Sequence, residues 1–155
     1  MKKILFTALT LIIGISTYAQ SPHNILRQYK NNDGVMSLKF DGDIMGMLDN
    51  DDDEEIKSEL EFMDVIMFKE GGDISDADKA KLKAGLEADN YELLINAKDK
   101  GNRVKVMGLQ EGETISQVFI NANTEKANIY VVVKGKLYFD ELKKLNLDRV
   151  DNFFD

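Results

Sequence analysis

The chain contains no cysteine and no tryptophan, one proline and one histidine. Without cysteine there are no disulfides, so stability rests on packing, and neither a thiol nucleophile nor a cysteine-built zinc site is available. The same absence excludes a bacterial lipoprotein, whose lipid is carried on a cysteine at the cleavage point. A Ser-His-acid triad would have to recruit His23, the sole imidazole, from a segment expected to be mobile close to the start of the mature chain. Lack of tryptophan removes the usual stacking platform for a sugar ring, which argues against a glycosidase built on paired carboxylates.

What is present begins with a leader. Met1-Lys2-Lys3 is followed by an apolar run from Ile4 to Ile13 and by Thr17-Tyr18-Ala19 ahead of Gln20. A basic start, a short apolar stretch and small residues at −3 and −1 make a secretory signal peptide, cut after Ala19. The run is shorter than the roughly 20 residues that span a bilayer, and no later stretch reaches that length. Cutting leaves residues 20–155, a size suited to one domain with one core. The product is expected in the periplasm or outside the cell.

Charge narrows the choice of partner. The formal net charge of −8 becomes −10 once Lys2 and Lys3 leave with the signal. Phosphate backbones and anionic lipid surfaces bind clustered Lys and Arg, so nucleic acid is not an expected partner.

Along the chain, Ser21-Pro22 has the form of a helix start, with Ser as cap and Pro in the first turn, leading through Ile25, Leu26 and Tyr29. Asn31 to Gly34 stops it. Val35 to Phe40 alternates as a strand, Met36, Leu38 and Phe40 on one face and Ser37 and Lys39 on the other. Asp41 and Asp43 offer caps for a turn carrying Ile44, Met47 and Leu48. An acidic run from Asp49 to Glu55 then leads into a helix expected to hold Ile56, Leu60 and Met63. Asp64 to Phe68 is an apolar strand with both faces covered. Ser75-Asp76-Ala77-Asp78 is a capping box opening a helix with Ala80, Leu82 and Leu86.

The main organising stretch is Tyr91 to Lys134. Four runs rich in β-branched and aromatic residues, Tyr91–Ala97, Arg103–Met107, Ile115–Ile120 and Asn128–Val133, are separated by Gly- or Asn-containing turns. They predict an antiparallel meander. Phe139, Leu142 and Leu145 then line one side of a last helix, before a polar tail ending in Phe153-Phe154 and Asp155. Clustered strands with flanking helices predict an α+β domain, with a mostly antiparallel sheet of about six strands and helices on one face.

The segment Val35 to Leu48, the leader ending in Ala19-Gln20, and the close from Val131 to Leu145 together resemble the family catalogued as domain of unknown function 4252, small exported proteins typical of Bacteroidota. The resemblance implies an exported α+β domain and carries no catalytic residue onto this chain. Where that family often places a capping Asp before its last helix, this chain has Tyr138.

The strongest ligand candidate is the acidic run. Asp49, Asp51, Asp53 and Glu55 fall at positions 1, 3, 5 and 7 of a calcium loop, yet position 6 is Glu54 instead of Gly and position 12 is Leu60 instead of Glu. The competing reading is a solvated acidic helix start. Gly71-Gly72 and Gly135-Lys136 lack the context of a phosphate-binding loop. Met36, Met45, Met47, Met63, Met67 and Met107 fall on apolar faces and suit core packing. No cofactor is implied. The expectation is a non-enzymatic interaction module that meets another, unidentified envelope protein, with calcium binding and a carboxylate-dependent hydrolase as alternatives.

Overall fold

The computed structural model describes residues 21–42 and 57–144. These residues form α1 (Pro22–Arg27), β1 (Val35–Asp41), β2 (Glu59–Lys69), α2 (Asp76–Ala88), β3 (Glu92–Asp99), β4 (Asn102–Glu111), β5 (Thr114–Asn123), β6 (Ala127–Leu137) and α3 (Phe139–Lys144). The six described strands make one antiparallel sheet in the order β1-β2-β6-β5-β4-β3. The fold is α+β.

The meander builds four of those strands, each longer than its apolar run because cross-strand pairing carries the ladder into the flanking polar residues. Lys100 and Gly101 turn β3 into β4 with φ of 44° and 92°. Two successive positive φ values match the twist of a tight hairpin, and the second falls on the residue that adopts it without strain. On its far side β6 pairs with β2, so β2 lies between β6 and β1. This interior place suits its apolar sequence. At Gly135 the backbones of β2 and β6 approach so closely that a Cβ would lie 2.1 Å from the Glu59 carbonyl oxygen. The register shifts between Leu60 and Phe62 at this spot.

Alternation sorts the strand residues onto two faces. On one, Ile66, Phe68, Phe119, Tyr130 and Val132 pack with Ile25 and Leu26 of α1 and Leu82 and Leu86 of α2. Ala80, expected beside those leucines, is exposed. On the other, Val106, Ile115, Val118, Val133 and Leu137 form a second cluster, against which Phe139 and Leu142 of α3 pack. Two helices thus share a face as expected, whereas α3 serves the opposite one, because β6 runs into it at Leu137 on that side.

Two local expectations change. Leu60 and Met63 belong to β2, not to a helix. Their spacing fits a helix, but pairing with Gly135 and Val133 of β6 puts both in the ladder, where tertiary contacts override local preference. The apolar side of β1 faces away from α1 and α2: Met36, Leu38 and Phe40 are 37%, 42% and 37% exposed. Met67, in contrast, is buried, and Met63 and Met107 are partly so. Residues 1–20, where the leader is expected, Met45, Met47 and the C-terminal Phe153-Phe154 lie outside the described residues.

Candidate functional site

The β1–β2 end of the sheet carries the features least explained by packing. Under α1, Asp64 is only 3% exposed. It sits mid-strand on β2, directly opposite Lys39 of β1. Lys30, in the turn after α1, places Nζ 3.1 Å from Asp64 Oδ2, and His23 places Nδ1 3.4 Å from the same oxygen. A buried carboxylate needs such company, since desolvating an unpaired charge is expensive. Pairing is nonetheless incomplete: Asp64 Oδ1 and His23 Nδ1 are buried without a hydrogen-bond partner.

His23, expected in a loose segment near the start of the mature chain, instead lies within α1 and against β2. Ser21 caps α1, its Oγ accepting the Asn24 N–H, and Pro22 occupies the first turn, so the sequence signal for the helix start holds. The helix brings the imidazole to 5.1 Å from the Phe62 ring and toward Asp64. Burial holds its pKa below the ordinary 6.5; Asp64 pulls the other way, and Arg27, Lys30 and Lys39 reinforce the lowering. With the ring neutral, a proton on Nδ1 avoids turning a lone pair toward the carboxylate.

Chemically, an acid beside an imidazole nitrogen is the orienting half of a triad. Among the described residues no hydroxyl is hydrogen-bonded to His23, and its contacts are with Asp64 and Phe62. The pair is thus a polar tie between α1 and β2. Sequence reasoning missed it, although a lone carboxylate within the apolar run of β2 was a usable signal.

Two further acids anchor α2. Asp78 accepts from the Tyr29 hydroxyl and from Gln28 Nε2, and it pairs with Lys81 at 3.0 Å. Asp73 accepts from the buried Tyr130 hydroxyl and pairs with Lys79 at 2.8 Å. Tyr130 has its pKa raised, first by burial and then by Asp73. These contacts connect the α2 entrance to α1 and β6.

On the opposite face, the row Met36, Leu38 and Phe40 lies beside Met67, Val65 and Met63 of β2, which in turn adjoin Ile129, Val131 and Val133 of β6. An apolar surface thus runs outward to β1, an edge strand among the described residues.

Asp49, Asp51, Asp53 and Glu55, the calcium-loop candidates, lie outside the described residues. Among the described residues no three His, Cys, Asp or Glu side chains converge as a metal site, and no helix is long and apolar enough to cross a membrane. Comparison with curated proteins and with solved structures finds no match. The family comparison does: residues 29–145, reaching from the turn after α1 to just beyond α3, match the model of the domain of unknown function DUF4252, and the chain belongs to that family.

Proposed function

We propose that this protein is an exported, non-enzymatic interaction module of the cell envelope, which uses the β1 edge and its apolar row to meet another protein. The observation that carries this reading is the exposure of Met36, Leu38 and Phe40 in register on one edge strand. Scattered apolar residues on a surface are ordinary, but a row continuous with a sheet's apolar face is a feature of docking surfaces. An edge strand adds unpaired backbone groups beside that row. The exported location is supported by the leader at residues 1–19, and N-terminal sequencing of the protein recovered from its cells should begin at Gln20.

The test is cross-linking in the intact envelope, comparing the wild-type chain with Leu38→Lys. A protein adduct present in the first and lost in the second is the expected result. Adducts indifferent to Leu38 would remove the basis for this reading. So would hydrolysis of an ester, phosphate, peptide or glycoside substrate that Asp64→Asn abolishes.

A further inference from the structure

Resting on the reading of β1 as a docking edge, we infer that its occupant is a second copy of the chain, paired antiparallel across a two-fold axis at Leu38.

Backbone directions come first. Gly42 N–H donates to the Glu61 carbonyl, and Lys69 N–H donates to the Gly34 carbonyl. In an antiparallel ladder every second residue bonds the same neighbour, so Gly34, Met36, Leu38, Phe40 and Gly42 turn their backbone groups toward β2. Val35, Ser37, Lys39 and Asp41 turn theirs outward. Of these outward groups, the Val35 N–H is taken by the Asn32 carbonyl.

Pairing β1 with itself about Leu38 places Ser37 opposite Lys39 of the second copy, where the two exchange backbone hydrogen bonds. At each end Asp41 N–H meets the Val35 carbonyl. The same register sets Leu38 against Leu38 and Met36 against Phe40, at the non-hydrogen-bonded positions where cross-strand side chains approach most closely. All three exposed apolar residues then gain an apolar neighbour across the new strand pair, and the two sheets join along one apolar face.

Charge favours this register over its neighbour. Moving the axis to Lys39 would set two ammonium groups directly opposite, which is destabilising. About Leu38, each Lys39 faces a serine and remains held by its own Asp41 at 2.8 Å. A lysine on an edge strand ordinarily discourages pairing, but this one is neutralised within its own strand. The other edge is different. β3 has a register irregularity between Leu93 and Ile95 and carries Glu92, Lys98 and Asp99, the usual protections against a new neighbour. β1 pairs with β2 without an irregularity.

The area sets the strength. Three partly exposed apolar side chains and one short strand from each copy fall below the roughly 1,200 Å² of a standard interface. An interface of that size belongs with weak, transient contacts, so the dimer should form only at high concentration.

Sedimentation of the protein recovered from its cells, from about 1 µM to about 1 mM, should show monomer passing to dimer. Leu38→Lys should weaken self-association by at least about tenfold. Ser37→Pro removes an outward N–H without touching the β1–β2 ladder and should weaken it as well, with the thermal midpoint of either variant reporting that the fold survives. Because the chain lacks cysteine, Leu38→Cys supplies an independent readout: facing residues at the axis lie within disulfide reach, so oxidation should give a covalent dimer. Leu93→Cys on the other edge should cross-link at least about tenfold more slowly. A monomer at every concentration, with both cysteine variants oxidising alike, overturns the homodimer. If a Leu38-dependent adduct to a different envelope protein persists in that case, the docking edge stands and only its occupant changes.

Discussion

Tyr29 and Asp78 meet across the α1–α2 contact: the tyrosine hydroxyl donates to Asp78 Oδ2 and at the same time accepts the Ser75 N–H at 3.0 Å. Ser75 Oγ accepts the Asp78 N–H at 3.2 Å, which completes one half of a capping box. In the other half the acid would reach back to Ser75 N–H, but here a tyrosine from α1's end stands between them.

Replacing Tyr29 by Phe should lower the thermal midpoint by a few degrees, since one change removes one of Asp78's donors and the acceptor of the Ser75 N–H. The loss should depend on pH. The Tyr29 hydroxyl, then Lys81, holds the Asp78 pKa below its ordinary 3.8. A lowered carboxylate contributes stability above that value and loses it as pH falls through the folded one. The gap between wild type and variant should therefore narrow in strong acid; urea midpoints at neutral and acid pH measure it.

His23 acts at milder pH. Its pKa is lowered, chiefly by burial, so the fold favours the neutral ring. Stability is complete above the ordinary 6.5 and declines as pH falls below it. Asp64 opposes this decline, while Arg27, Lys30 and Lys39 reinforce it. Urea midpoints should fall from about pH 7 to about pH 5, and less steeply in His23→Gln. Equal slopes in the two proteins would exclude His23 as the cause.

On the alkaline side, Tyr91 donates to Gln117 Oε1 at 2.9 Å, and burial raises its pKa to about 12. The fold thus favours the neutral phenol, and this contribution is present below pH 10 and lost as pH rises through about 12. Tyrosinate absorbance should show late-titrating groups, Tyr91 and the more strongly shifted Tyr130 among them, and Tyr91→Phe should remove one of these while the other remains.

Two glycines separate backbone from side-chain crowding. A Cβ at Gly135 would strike the Glu59 carbonyl at 2.1 Å, whereas one at Gly108 would meet the Leu94 side chain at 2.6 Å. Side chains rotate and a paired backbone does not. Gly135→Ala should cost about 3 kcal/mol or prevent folding, and Gly108→Ala about 1 kcal/mol, by chemical denaturation.

The meander, the α1 cap and the interior place of β2 were legible because each rests on local spacing or turn chemistry. The β2–β6 pairing was not, since nothing in either strand names a partner so far along the chain. The same gap hid the His23–Asp64 contact, which exists only once α1 folds back over β2. Leu60 and Met63 were misplaced for a related reason: spacing suited a helix, and β6 outweighed it. The alternation of Met36, Leu38 and Phe40 located the strand correctly but did not tell which face of the sheet would be covered by α1 and α2.

The interior seat of β2, between β1 and β6, has a kinetic consequence. Its neighbour on one side is β6, so during synthesis β2 waits with that flank bare until the entire meander has emerged. Glu141 of α3 accepts the N–H groups of Lys57 and Ser58 just ahead of β2, so the final clasp arrives later still. Closure of this sheet thus waits until β6 and α3 have been made, so its longest-range pairing is also its last to form.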